Sequence, residues 1–312
     1  MSARHASVLL QEVLHYFEDC SIRYFVDGTL GAGGHSEAIL KAHPEIELLI
    51  GVDQDPVARA IAEERLAPWG SKVRIVTGNF VDLAKHLSAL GIQYVDGILL
   101  DIGVSSMQFD MPEKGFSFMR DGPLDMRMDP TKELTAAYIV NHWSEHDLGR
   151  IFRDYGEEKR WRAAMYAIAN ARKVAPITTT FELAAALKEA LKPHPYKREI
   201  HPLTLVFQAL RIAVNAELES LESIIPVAIE KLNTGGRLSV ISFHSLEDRI
   251  VKNAIRFAAS DKMDTSGLGG GLFLDKEPIV NILTKKPITP TTEEIEVNPR
   301  SRSAKLRVIE KR

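Results

Sequence analysis

At 312 residues, 45% hydrophobic and 26% charged, with a mean hydropathy of −0.09, the chain has an ordinary soluble composition and room for one large domain or two smaller ones. A net charge of −3 disfavours nonspecific gripping of naked nucleic acid; no apolar run approaches the ~20 residues that cross a bilayer, and no secretory h-region opens the chain, so no membrane partner and a cytoplasmic location are expected. The single cysteine, Cys20, excludes an internal disulfide and a Cys-rich metal site, and it lies outside every motif below, which sets aside pyrimidine C5 chemistry through a Cys nucleophile.

The first hundred residues alternate short apolar runs with amphipathic ones. Ile22 to Asp27 predicts a buried strand ended by a glycine turn, with a helix from Ser36 to Ala42. Glu47 to Asp53, Lys72 to Thr77 and Gly97 to Ile102 predict further strands, separated by helices over Pro56 to Leu66 and Asp82 to Leu90. From about 109 to 129 the chain is rich in Gly, Pro, Met and charge and lacks a period. From Thr131 to about Asn215 it reads as helical, with Ser144 and Thr179 as N-caps and Pro202 in a first helical turn. A long helix then ends near Leu232, a Gly235-Gly236 turn leads into a strand reaching His244, and a helix covers Leu246 to Ala258. Asp261 to Gly271, with four glycines, is expected to be a loop, and Pro278 to Leu283 and Ser303 to Ile309 to be terminal strands. The fold class that follows is α/β: a Rossmann-like, mostly parallel sheet with helices on both faces, built from residues 1–108 and 214–312, with an inserted all-helical domain over 109–213.

The turn Gly28-x-x-Gly31-x-Gly33-Gly34 differs from the Gly-x-Gly-x-x-Gly of dinucleotide dehydrogenases, so an amino acid joined to a nucleoside is better supported there than a pyrophosphate. Asp53 ends the second strand where an acidic side chain can accept hydrogen bonds from ribose hydroxyls. Phe80 follows the third strand, and Asp101 closes the fourth at the carboxyl edge of the sheet. Together these features favour S-adenosylmethionine over a nicotinamide or flavin dinucleotide. The same pattern leaves a non-catalytic nucleotide-binding assembly factor as the alternative from another class.

Several long runs then resemble the small-subunit ribosomal RNA cytosine-N4 methyltransferases of the RsmH (MraW) type: Asp27 to Ser36, Gly51 to Pro56, Gly97 to Gln108, Gly115 to Asp129, Tyr155 to Glu158, Phe207 to Leu218, Ser239 to Lys252 and Asn298 to Arg307. The resemblance covers nearly the whole chain and is weakest over about 261–293. It implies a class I methyltransferase domain in which Gly33, Gly34 and His35 hold the methionine end and ribose of the cofactor, Asp53 the ribose hydroxyls and Phe80 the adenine, with Asp101 and Gln108 lining the rest. It also implies a cytosine in the decoding region of the small subunit as substrate, and a helical insertion that forms part of the RNA site. An assembled or late-assembly 30S subunit is the expected partner; no metal is called for, and a homodimer stays open.

A cytosine N4 is a weak nucleophile because its lone pair is delocalised into the ring, so an acceptor for the amino hydrogens is needed. Asp101 and backbone carbonyls nearby are the candidates, and a second role for Asp101, binding the cofactor alone, stays open. Asp125 and Arg127 are expected to contact substrate, with Met126 and Met128 packing on a base, against the plainer reading of a loop pinned by ion pairs. Ser242 and His244 are expected at the same cleft edge; a helix cap is the competing role for His244. His142 and His146 are read as surface residues, and the basic runs 192–198 and 300–307 as RNA-facing or as solvated surface.

Overall fold

In the computed structural model, residues 7–103, 109–192, 201–264 and 273–312 are described. The chain divides into two compact units, one formed by residues 1–103 and 218–312 and the other by 104–217.

The first unit is a seven-stranded sheet. Its strands are β1 (Tyr24–Asp27), β2 (Leu48–Asp53), β3 (Val73–Thr77), β4 (Val95–Asp101), β5 (Leu232–Ser242), β8 (Val280–Ile282) and β9 (Lys305–Lys311), in the order β3-β2-β1-β4-β5-β9-β8. The first five are parallel, while β9 runs antiparallel to both neighbours. This is the mostly parallel, Rossmann-like sheet that the strand and helix pattern predicts. The chain reverses direction across the sheet between β1 and β4, which opens a crevice at the carboxyl ends of those strands.

Both faces are covered, which is why the strands read as unbroken apolar runs. Alternate residues point to opposite sides. Val26, Ile50, Ile98, Leu100, Leu238 and Val240 pack with α4 (Leu83–Ala89), α10 (Glu217–Glu230) and α11 (Ser245–Ala259). Phe25, Leu49, Leu99, Ile241 and Leu306 pack with α1 (Leu10–His15), α2 (Gly34–Ala42) and α3 (Pro56–Leu66). The Gly235-Gly236 turn lies at the amino edge: the register of β4 on β5 jumps from Val95↔Leu232 to Gly97↔Arg237, and Gly235 takes φ +80°.

One expectation is corrected. Within the segment read as a loop from 261, Lys262–Asp264 (β6) pairs antiparallel with Phe273–Asp275 (β7). The intervening glycine run hid two three-residue strands too short to show a period; residues 265–272 lie outside the described set. The helix α12 (Thr292–Val297) precedes β9.

The second unit contains α5 (Ala136–His142), α6 (Glu145–Asp154), α7 (Trp161–Val174), α8 (Thr180–Leu187) and α9 (Pro202–Asn215). Ser144 caps α6 by accepting from Asp147 N, and Thr179 with Glu182 makes a capping box on α8, as the spacing predicts. Its core is a cluster around Ile139, Ile151, Phe152, Ile168, Leu183, Val206 and Leu210, into which Gly149 lets the Trp161 ring approach: a Cβ there would stand 2.8 Å from Trp161 Cζ3. Among the described residues, no helix is long and apolar enough to cross a membrane.

Candidate active site at the carboxyl edge of the sheet

Three parallel strands end in aspartates: β1 at Asp27, β2 at Asp53 and β4 at Asp101. Asp27, Asp53 and Asp101 share parity with Phe25, Leu49 and Leu99, so strand alternation sends all three side chains to the α2 face. The start of α2 meets them there. Asp27 is buried and accepts from Ser36 Oγ at 2.7 Å and from Thr29 N at 3.2 Å. Burial, against those two bonds, holds its carboxyl up at about 6.

Asp53 divides its oxygens between two loops. Oδ2 accepts from Gly31 N and Oδ1 from Asp55 N, each at 2.8 Å, while Arg59 donates to its carbonyl at 3.0 Å. It thereby ties the glycine turn to the end of β2, and its burial raises its pKa. The turn needs its glycines. Gly33, the N-cap of α2, has φ +75°, where a side chain is strained. At Gly34 a Cβ would collide with Ser7 Oγ and stand 3.1 Å from Arg65 Nη1.

Asp101 is the least compensated of the three. Its backbone N–H donates to Thr29 Oγ1 at 2.6 Å, but its Oδ1 has no hydrogen-bond partner among the described residues. Its Oδ2 lies 3.7 Å from His35 Nδ1. Desolvation, reinforced by Asp27 and by the buried Glu247, pushes its carboxyl up to about 8. His35 is buried, and its Nε2 bonds the Val8 carbonyl at 2.9 Å. A carbonyl only accepts, so Nε2 carries the proton and the Nδ1 lone pair faces Asp101. Desolvation lowers His35 to about 4, which keeps the ring neutral at pH 7.

The chemistry of this donor set fits one kind of ligand. Acidic groups crowded at a strand edge, one with an orphaned oxygen, attract a cation and repel a pyrophosphate. S-adenosylmethionine, a sulfonium bearing an α-ammonium and a ribose, meets that demand; a dinucleotide does not. Phe80 opens a short 3₁₀ turn after β3, capped by Asn79, whose Nδ2 donates to Gln54 Oε1 at 3.4 Å beside Asp53. The sequence-predicted Gly33, Gly34, His35, Asp53, Phe80 and Asp101 therefore stand on neighbouring loops at one edge. Gln108 lies outside the described residues.

The remaining expected residues fare differently. Ser242 is buried, and its hydroxyl donates to the Lys305 carbonyl at 3.5 Å. Its parity is that of Val240 and Leu238, on the sheet face opposite Asp101. His244 caps α11: Nδ1 accepts from Glu247 N, and Glu247 Oε2 accepts from Phe243 N at 2.7 Å and His244 N at 3.2 Å. With its side chain about 10% exposed, His244 acts in the structure as that cap.

In the helical unit, Arg127 grips Asp125 through two bonds of 2.8 and 2.7 Å and donates to the carbonyls of Pro130 and Lys132. This attraction depresses the Asp125 pKa and raises that of Arg127. Met126 and Met128 are buried in that unit's core, so the expectation that they pack on a base is corrected. Met126 takes φ +63°, held there by Asn215, which donates to the Met126 carbonyl at 2.8 Å and accepts from Met128 N at 2.9 Å. Sequence reasoning missed Asn215, Asp27, Thr29 and Glu247. For Asp27 a signal existed, an acidic residue ending an apolar strand just before the glycine turn; the partners of Asn215 lie 87 and 89 residues away, and no local pattern reports them.

The chain is 58% identical over 307 residues to the ribosomal RNA small subunit methyltransferase H of Protochlamydia amoebophila, covering 98% of this chain and 97% of the relative. It is 48% identical over 308 residues to the protein of the same name from Geotalea uraniireducens, covering 98% of each. A solved structure of an rRNA methylase from Streptococcus thermophilus aligns over 100% of this chain and 98% of that one, with 10% identity and a TM-score of 0.43. A family model for the MraW methylase family matches residues 2–312, and the chain belongs to that family.

Proposed function

We propose that this protein transfers a methyl group from S-adenosylmethionine to the exocyclic N4 of a cytosine in the decoding region of small-subunit ribosomal RNA. The observation that carries the reading is the full-length similarity to relatives named for small-subunit ribosomal RNA methylation, joined to a strand edge whose clustered carboxylates suit a cationic cofactor. Bound S-adenosylmethionine supplies an electrophilic methyl group on a positively charged sulfur.

The chain's own residues do the rest. Gly33, Gly34 and His35 hold the methionine end, Asp53 accepts the ribose hydroxyls, Phe80 covers the adenine, and Gln108 with Asp101 closes the pocket. Asp101, ionised once a cation lies beside it, accepts either from that cation or from the amino hydrogens of the cytosine. In the second role it returns electron density to N4. Positioning supplies most of the remaining rate, up to ~7–11 kcal/mol in well-oriented systems. The target base must leave its stack to be reached.

The helical unit supplies RNA contacts through the loop braced by Asp125 and Arg127. The substrate is the assembled or nearly assembled 30S subunit in the cytoplasm, because a chain of net charge −3 relies on shape more than on a broad basic face. The test is mass spectrometry of ribosomal RNA from cells lacking the protein: one cytosine methyl group should vanish and return with the wild-type gene but not with D101A. An unchanged methylation pattern would overturn the reading.

A further inference from the structure

The structure sorts the terminal basic run into two kinds of cation. Arg307 is buried and donates to Asp248 Oδ1 at 2.7 Å, and Lys305 Nζ lies 3.5 Å from Asp248 Oδ2. Both answer a carboxylate of their own unit. Arg302 is exposed and makes no side-chain hydrogen bond or ion pair among the described residues; Arg300 is exposed beside it.

The local chain enforces this sorting. Pro299–Ser303 is a 3₁₀ turn in which Ser301 donates to the Asn298 carbonyl from both N (3.0 Å) and Oγ (2.8 Å), and Ala304 N donates to the Ser301 carbonyl at 2.7 Å. Ser301 and Ala304 are fully buried, which turns Arg300, Arg302 and Ser303 to solvent from a fixed backbone.

Its place in the fold matters. Lys305 opens β9 opposite Ser242, the last residue of β5. Because β9 is antiparallel, the turn sits at the carboxyl edge of the parallel strands, the edge that carries Asp27, Asp53 and Asp101. The preceding helix is anchored to the same region: Glu294 Oε1 accepts from Leu9 N at 2.8 Å, and the adjacent Val8 carbonyl is the partner of His35. An edge lined with carboxylates repels the phosphates that flank any nucleotide brought to it, so a cationic element beside it is required to hold the strand.

We propose that the Arg300–Ser303 turn is a phosphate-binding element that holds the RNA backbone next to the nucleotide being modified, an inference that rests on the methyltransferase reading above. The guanidinium of Arg302 offers a planar donor fork matched to phosphate oxygens, with Arg300 and the Ser303 hydroxyl beside it.

The test measures methyl transfer from radiolabelled S-adenosylmethionine to small subunits lacking the modification, across a salt series. The proteins are wild type, R302Q, R302K, R300Q/R302Q and R74E, the last reversing an exposed charge on β3 at the far edge of the sheet and so matching the double variant's change of two charges. R302Q should raise KM for the subunit about three- to tenfold with kcat within twofold, R302K should recover part of that loss, and the double variant should flatten the log–log salt dependence by roughly 0.7–0.9 per contact removed. Cofactor affinity should not move. An unchanged KM and salt slope in R300Q/R302Q, or an equal loss in R74E, overturns the phosphate-binding turn while leaving the enzyme reading intact. Absence of wild-type turnover overturns the enzyme reading, and the turn with it.

Discussion

Replacing Asp101 with Asn should abolish a proton release that accompanies cofactor binding in the wild type. With its carboxyl near 8 in the free protein, about 0.9 of the molecules hold that proton at pH 7. A cation placed beside it favours the ionised form, so binding should expel close to one proton at pH 7. Between pH 7.5 and 6.5 the ionised fraction falls roughly eightfold, and affinity should fall with it. His35, near 4, and Asp27, near 6, titrate below that window. The sign for folding is the reverse of the usual carboxylate. A folded-state value above the ordinary 3.8 means that the native state binds more protons, so the stabilisation is full below pH 3.8 and is lost as pH rises through 8. The advantage of D101N over wild type in melting temperature should therefore grow from pH 5 to pH 8 and level off above it. Calorimetric titration with S-adenosylmethionine at pH 7, in two buffers of different ionisation enthalpy, reads the proton directly. Equal heats in both buffers, with affinity flat from pH 6.5 to 7.5, would refute the argument that Asp101 meets the cofactor's charge.

Asp53→Ala strips the acceptor from two backbone amides and, on the proposed reading, from the ribose, so cofactor affinity in a titration should drop more than tenfold, with Asn recovering part of it. Asn215→Ala leaves the Met126 carbonyl and Met128 amide without their buried partner, at about 1–3 kcal/mol each; Tm should fall by several degrees and KM for the small subunit should rise, since the Asp125–Arg127 brace loosens. Ser242→Ala removes one long hydrogen bond, so kcat should stay within twofold of wild type and Tm should barely move; a tenfold loss in kcat would return Ser242 to the substrate site. For His244, Asn keeps a capping side chain and Ala does not, at a cost of about 1 kcal/mol. Thermal melts should therefore rank wild type and H244N above H244A, and methyl transfer by H244N should match wild type.

The sheet was legible in the sequence because burial on both faces leaves continuous apolar runs, and each strand that opens the crevice ends in an aspartate. What local pattern leaves open is how those carboxylates differ. Asp27, Asp53 and Asp101 look alike as strand-end acids, yet two are satisfied by the turns around them and one has an orphaned oxygen, a distinction set by Ser36, Gly31 and Asp55 in three dimensions. Strand parity held more than was taken from it. Counting in twos along β5 places Ser242 with Val240, on the face away from Asp101. The loop of Asp125 to Asp129 is the opposite case. Its methionines lack a period, and only Asn215, far along the chain, turns them inward. That burial leaves Arg127 and Asp125 as the polar face of the loop, already paired with each other. On the proposed reading, an RNA phosphate drawn to Arg127 must compete with a two-bond ion pair, so such a loop would discriminate by the shape it holds more than by a charge it leaves unmatched.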